Sequence, residues 1–216
     1  EQEAKNSTTL FRPCRIYVVT NGVDLDRFSP RPHPERGYIL AVGSMYLRKR
    51  WDRLIRAVAL LASKGLCPQV MHVGSGPLQE ELEAMARNLH VDHLFRFLGA
   101  RHDLPTLLGG AAFLVHTADV EGCPNVVLEA MACGRAVVAT DAGDIPYLID
   151  NGETGFVVPR EDEAALANRI ANLLVNRELC CRMGDAARRK AEQAFGLDRF
   201  RSEMFAAYRA EGWEDR

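Results

Sequence analysis

A mostly parallel, doubly wound α/β sheet with helices on both faces, followed by further C-terminal helices, is the fold this sequence predicts. Three observations point to it. Short runs of apolar, often β-branched residues alternate along the chain with segments of helical periodicity, the pattern of right-handed βαβ units. The loops richest in glycine and charge, Gly43–Arg50, Gly74–Pro77, Gly99–Asp103, Thr117–Pro124 and Asp141–Pro146, each follow a strand-like run, where ligands of such sheets bind. No internal repeat or low-complexity tract interrupts the 216 residues, which suffice for one large core.

In order, residues 1–13 are polar and aperiodic and are read as a linker or frayed entry. Arg15–Thr20 is strand-like, Asn21-Gly22 is a turn signal, and a Pro-rich connector leads to a buried strand at Tyr38–Val42. Trp51, Leu54, Ile55, Val58, Leu61 and Ala62 follow i, i+3, i+4, i+7 spacing and predict an amphipathic helix. Val70–Val73 is a strand, and Gly74-Ser75-Gly76-Pro77 turns into a helix with Leu78, Leu82, Met85 and Leu89 on one face. A strand at Leu94–Leu98 precedes a short helix at Asp103–Leu108 with Asp103 as N-cap, then a strand at Ala112–His116. Ala136–Thr140 and Gly155–Val158 are the last strands, and helices follow near Glu163–Val175, Glu178–Ala194 and Leu197–Arg209.

Composition excludes several classes. The chain is 47% hydrophobic and 26% charged with a net charge of −2, which gives no global attraction to nucleic acid or anionic membrane. No apolar run approaches the roughly 18 residues that span a bilayer, and no signal peptide is visible. The six cysteines include no CxxC pair, so reduced thiols are expected rather than a zinc site or disulfide framework. The first residue is Glu1, not Met, which suggests a cut or processed chain.

The stretch Glu121–Thr140, EGCPNVVLEAMACGRAVVAT, carries the densest chemistry. Pro124 suits the first position of a helix. The backbone N–H groups of Asn125, Val126 and Val127 would then face an anion such as phosphate. Seven residues separate Glu121 from Glu129, and Glu129 lies in an otherwise apolar run, where a carboxylate needs hydrogen-bond donors such as sugar hydroxyls. In Gly43–Arg50, three consecutive cations, Arg48, Lys49 and Arg50, either form a solvated helix start or balance a diphosphate. Gly74 permits either a simple turn or close approach to a ligand. Arg101-His102-Asp103 reads as an exposed capped loop or a base-contacting one, and His116 as a buried structural histidine or a site residue.

From about Arg12 to Tyr208 the sequence resembles the C-terminal, donor-binding half of retaining glycosyltransferases of family 4, which have the GT-B fold. The resemblance is carried in order by NGVDLDRFSP (Asn21–Pro30), AVGSMYLRKRWDRLI (Ala41–Ile55), HVGSGP (His72–Pro77), FRFLGARHDLP (Phe95–Pro105), the Glu121–Thr140 stretch, and NGETGFVVP (Asn151–Pro159). The Glu-x7-Glu signature falls on Glu121 and Glu129.

The resemblance implies a Rossmann-like domain over residues 14–194, and a segment 195–216 that crosses to an N-terminal acceptor-binding domain not found in this chain. Lys49 would bind the donor diphosphate opposite Asn125–Val127, Glu129 the ribose hydroxyls, and Glu121 the donor sugar. Gly122, Cys123, Pro124 and Asn125 would line the sugar by their backbone, and the loop around Ala100 and Arg101 would hold the base. Together with Gly43, Ser44, Arg48, Gly74, His116, Val126 and Val127, these make the expected donor site, with Glu121 and Lys49 as its catalytic residues. No metal or cofactor is implied, and the expected substrate is a nucleotide sugar, UDP-linked ahead of GDP- or ADP-linked. Hexosyl transfer would need both domains, so the isolated chain is expected to be inactive. A non-catalytic subunit docking on a separate acceptor-binding chain is the alternative, and a GT-B epimerase or phosphorylase a third reading. The expected location is cytoplasmic, with peripheral membrane contact through the acceptor. Ser44 stands where the family commonly has Arg, Asp144 and Tyr147 where it often has Gly and Glu, and Ala118 where Ser is frequent. The apolar face Leu197, Phe200, Met204, Phe205 and Tyr208 would cover the second domain.

Overall fold

The computed structural model describes residues 15–213, so the expected linker at 1–13 lies outside the described residues. Six strands form one sheet: β1 (Tyr38–Val42), β2 (Val70–Val73), β3 (Phe95–Phe97), β4 (Ala111–His116), β5 (Ala136–Thr140) and β6 (Gly155–Val158). They are parallel throughout, in the order β3-β2-β1-β4-β5-β6. The order reverses between β1 and β4, and the crevice above that switch point is where a doubly wound sheet takes its ligand.

Side chains alternate across the sheet with the two-residue period of a strand. Ile39 and Ala41 of β1, Phe113 and Val115 of β4, and Ala136 and Val138 of β5 enter one core. Leu40, Leu114, Val137 and Ala139 enter the other. The first core is covered by α1 (Trp51–Ala62), α2 (Gln79–Asn88) and α6 (Glu163–Val175). The second lies under α3 (Leu104–Gly110), α4 (Asn125–Ala132), α5 (Ile145–Leu148) and the inner face of α7 (Arg177–Ala194). Covering on both faces explains why the strands read as continuous apolar runs.

Several local expectations are corrected. Arg15–Thr20 joins no strand among the described residues. Tyr17 and Val18 stay exposed, and the segment lies along α8 (Leu197–Ala210), whose Arg199 donates to the carbonyls of Thr20 (2.8 Å) and Asn21 (3.0 Å). Leu89 is not on the buried face of α2. It is the C-cap residue, one position past the last helical residue Asn88, and is 39% exposed. Asp103 stands at the N-cap of α3 but makes no capping hydrogen bond; its carboxylate is taken by Arg101 at 2.8 Å. The loop read at Ala142–Pro146 runs into the short helix α5, whose first turn holds Pro146.

Helix α4 ends as the sequence suggested. Gly134 takes φ 70°, its N–H donates to Met131 O (2.9 Å), and Arg135 N–H reaches back to Ala130 O (2.9 Å), a Schellman arrangement that satisfies the last carbonyls. Arg135 itself is fully buried. Its guanidinium donates to the carbonyls of Leu108, Gly109, Arg31 and Pro32 and to His33 Nδ1, so it nails the Pro-rich connector to the sheet. A buried cation is tolerated there because each of its three guanidinium nitrogens meets an acceptor. Among the described residues no helix is long and apolar enough to cross a membrane.

Candidate functional site at the carboxyl ends of β1 and β4

The site is built from two loops that leave neighbouring strands at the switch point. After β1, Gly43 leads into a 3-10 turn, Leu47–Lys49, and then directly into α1. After β4 comes Thr117–Pro124, and then α4. Because β1 and β4 are paired, Lys49 at the end of one loop meets Glu121 in the other. The Lys49 ammonium and the Glu121 carboxylate form an ion pair, and the same Glu121 Oε1 lies 2.8 Å from His116 Nε2.

Both partners of that pair are mostly buried, and His116 is fully so. A carboxylate can only accept, so His116 Nε2 carries the proton, and its Nδ1 is left buried without a partner. Burial pushes the Glu121 carboxyl up, but the His116 hydrogen bond and the Lys49 ammonium more than reverse this and hold it at about 2. Glu121 is therefore a fixed anion at neutral pH.

Glu129 is the opposite case. It sits on α4, half-buried, and burial raises its carboxyl, opposed only by the charge of Arg27. It has no hydrogen bond from another described side chain or N–H to replace lost water, so a ligand bringing hydroxyl donors would favour its ionised form.

The start of α4 differs by one residue from the sequence reading. Pro124 is the N-cap, with ψ 112°, and Asn125 is the first helical residue. Val127 N–H donates to Pro124 O at 3.0 Å, so Asn125 and Val126, not Val127, present N–H groups without intrahelical acceptors. Asn21, from the early NG turn, donates to Cys123 O (3.2 Å) and Asn125 Oδ1 (2.9 Å) and holds this turn in place. Asn21 is not among the expected site residues; its signals in the sequence are the Asn21-Gly22 turn and membership of the NGVDLDRFSP motif.

Two glycines fit because nothing larger could. Gly74 has φ 134°, and a Cβ there would collide with the Gly43 carbonyl oxygen, so the exits of β1 and β2 touch through backbone alone. Gly143 has φ 55°, and a Cβ would strike the Glu121 carbonyl oxygen. The Gly143 loop thus backs the Glu121 turn, and Asp144 N–H adds a hydrogen bond to Gly122 O at 3.2 Å.

The other expected residues fall as follows. Gly43 N–H is tied to Val73 O (2.9 Å), and Ser44 O accepts from the Trp51 indole (3.1 Å). Arg48 points to solvent while its carbonyl accepts from Asp119 N–H at 2.8 Å. Arg50 turns away from the crevice toward Asp52 and Asp119. It does so from a left-handed backbone (φ 51°, ψ 43°), which costs a non-glycine residue about 1 kcal/mol. Cys123 is half-buried with its thiol pushed up by burial. Gly122 is exposed at the lip of the crevice. Ala100 and Arg101 are exposed after β3, two strands from the switch point, and are not brought against Lys49 or Glu121.

A cavity of about 480 Å³ lies elsewhere. It opens at the amino ends of the strands beside Tyr38, Val70 and Arg96 and contains none of these residues.

Residues 36–176 match the family model of glycosyl transferases group 1. The chain is 33% identical over 192 residues to the GDP-mannose-dependent alpha-(1-6)-phosphatidylinositol monomannoside mannosyltransferase of Mycolicibacterium smegmatis (77% of this chain, 49% of the relative). It is 31% identical over 168 residues to the putative colanic acid biosynthesis glycosyltransferase WcaL of Escherichia coli (73% of this chain, 41% of the relative). Among solved structures it superposes on Anabaena HepE in complex with UDP with a TM-score of 0.81 at 24% identity, covering 89% of this chain and 57% of that one. It also superposes on the C-terminal domain of LpcC, a group 1 glycosyl transferase from Francisella tularensis, with a TM-score of 0.72 at 21% identity, covering 82% of this chain and all of that one. The chain spans less than half to half the length of the curated relatives it matches, from 41% to 50%.

Proposed function

Since the chain belongs to the group 1 glycosyl transferases, we propose that it is the nucleotide-sugar-binding half of a retaining glycosyltransferase. The observation that carries this reading is the meeting of Lys49, His116, Glu121 and the N-terminus of α4 at the β1/β4 switch point. An ammonium has three donors; one is engaged by Glu121, and two remain for diphosphate oxygens. The Asn125 and Val126 N–H groups, at the positive end of the α4 dipole, would hold the same diphosphate from the other side. As the bond to the sugar breaks, negative charge gathers on the departing diphosphate, and these fixed donors stabilise it.

Glu121 would sit beside the sugar as a permanent anion, orienting its hydroxyls or stabilising positive charge at the reacting carbon. Glu129 would accept from the ribose hydroxyls, which supply the donors it lacks. The acceptor hydroxyl would attack from the face that the diphosphate leaves. HepE is described with bound UDP and the mycobacterial relative as GDP-mannose-dependent, so the base is the point to test first. Uridine is our choice.

The donor-binding unit would span residues 14–194, and 195–216 would lead to the acceptor-binding domain. Helix α8 leaves Phe205 and Tyr208 exposed, and Trp213 stacks on Phe205 at 5.8 Å, giving that domain an aromatic surface to dock on. Orientation of two substrates needs both walls of the cleft, so the chain alone would transfer negligibly. Titration calorimetry of the chain with UDP, GDP, ADP and their sugars tests the reading. Binding of one nucleoside diphosphate supports it, and failure to bind any of them overturns it. Measurable turnover of a sugar nucleotide by the chain alone would overturn the dependence on a second domain.

A further inference from the structure

The two loops that carry Lys49 and Glu121 are joined by a second set of bonds just outside the crevice, and Asp119 is its hub. Asp119 lies two residues before Glu121. One of its carboxylate oxygens accepts from Arg50 at 2.9 Å, the other from the buried Arg53, and its N–H donates to Arg48 O at 2.8 Å. Thr117 Oγ1 closes the same seam by donating to Lys49 O at 2.9 Å. Arg50 is also forked onto Asp52, with Nε at 3.0 Å and Nη2 at 3.1 Å, so its guanidinium has one orientation.

Arg50 holds this orientation from a left-handed backbone between the 3-10 turn and α1, a conformation that glycine adopts without cost. Arginine at that position gains the local fork to Asp52 and, beyond it, reach to the neighbouring strand's loop at Asp119. Lys49 is its immediate neighbour, so the bond to Asp119 sets where the Lys49 side chain starts. Asp119 in turn sets where the Glu121 turn starts.

We propose that Arg50 and Asp119 are positioning residues, a clasp between the β1 and β4 loops that holds the Lys49 ammonium and the Glu121 carboxylate in register for a nucleotide sugar. The clasp touches no ligand and acts through Lys49 and Glu121. Its role in donor binding rests on the function proposed above; its role in placing Glu121 against His116 does not.

The test uses Arg50→Gly, which deletes the clasp and removes the backbone strain, Arg50→Lys, which keeps the charge but not the fork, and Asp119→Asn. Two quantities are read. One is the His116 ring-nitrogen resonance without nucleotide, with Glu121→Gln as the benchmark for a lost His116–Glu121 bond. The other is UDP affinity by calorimetry. The expected result is a resonance moved toward the benchmark in Arg50→Gly and Asp119→Asn, a smaller move in Arg50→Lys, and UDP affinity at least about tenfold weaker in the first two. If Arg50→Gly does not fold, Asp119→Asn decides. A lower melting temperature with the resonance and the affinity unmoved makes the clasp merely structural and overturns the proposal. Weaker UDP binding with an unmoved resonance also overturns it, because Arg50 would then act on the ligand directly. If the wild type binds no nucleotide, the proposed function falls while the resonance still decides the clasp.

Discussion

The two ends of the same sheet contrast sharply. At the carboxyl ends of β1 and β4, charged side chains are tied to one another: Lys49 and His116 to Glu121, Arg50 and Arg53 to Asp119. At the amino ends lies a cavity of about 480 Å³ bordered by Arg36, Arg96 and Arg177, each exposed to solvent. The amino-end cavity has looser charges, and the carboxyl-end crevice has fixed ones. Preorganised charge costs little to bring to a ligand, whereas solvated arginines must first shed water and lose rotamer freedom. The proposed donor site is placed in the crevice because its charges are fixed and it lies at the switch point.

The sharpest way to break this contrast is Lys49→Ala. Truncating one member of a buried, hydrogen-bonded charge pair costs roughly 3 kcal/mol of binding, so nucleoside diphosphate affinity should fall about 100-fold in calorimetry. Affinity within a factor of two of wild type would move the diphosphate elsewhere.

Glu129→Leu should separate stability from binding. Burial raises the Glu129 carboxyl, so its ionised form disfavours the fold at neutral pH, and an apolar replacement removes that penalty. The melting temperature at pH 7 should rise by roughly 2–4 °C while nucleotide affinity falls about tenfold. A melting temperature that falls would show that the carboxylate is already satisfied.

A pH-dependent effect is expected for Glu121 in acid. Its folded carboxyl titrates at about 2 against an ordinary 4.5, so its stabilising contribution is complete above the ordinary value and is lost as pH falls toward 2. Urea unfolding of wild type and Glu121→Gln should differ by about 2 kcal/mol at pH 6 and converge near pH 2. A gap that persists at the acid end would mean that packing, not charge, stabilises the turn.

The smallest effect sharpens the other side of the comparison. Arg96→Ala, at the amino-end cavity, should leave nucleotide affinity within a factor of two of wild type. A larger loss would transfer part of the binding to that end.

Most of the framework was legible in the sequence. β1, β2, β5 and β6 occupy the residues that their apolar runs marked, and α1 follows its periodicity from Trp51 to Ala62. What misled was local signal without a local outcome. Arg15–Thr20 has strand-like residues, but a strand needs a neighbour, and this segment's neighbour is a helix. Pro124 suits a first helical position, yet it serves as the N-cap, where its carbonyl takes the Val127 N–H. Within the site, Lys49, Glu121 and Glu129 were marked by type and spacing. Asn21 and Asp119 were not, because their partners lie far along the chain.

The sequence by itself determined the alternation of strands and helices, and hence a sheet covered on both faces, with its charged and glycine-rich loops at one end. Those properties follow from short-range periodicity and from the stiffness of individual residue types. Only the tertiary structure decided which cation meets which carboxylate. Arg48, Lys49 and Arg50 are adjacent and alike in charge, yet one faces solvent, one Glu121 and one Asp119. That division comes from the pairing of β1 with β4 and from one left-handed residue, contacts across about 70 positions that no local pattern encodes.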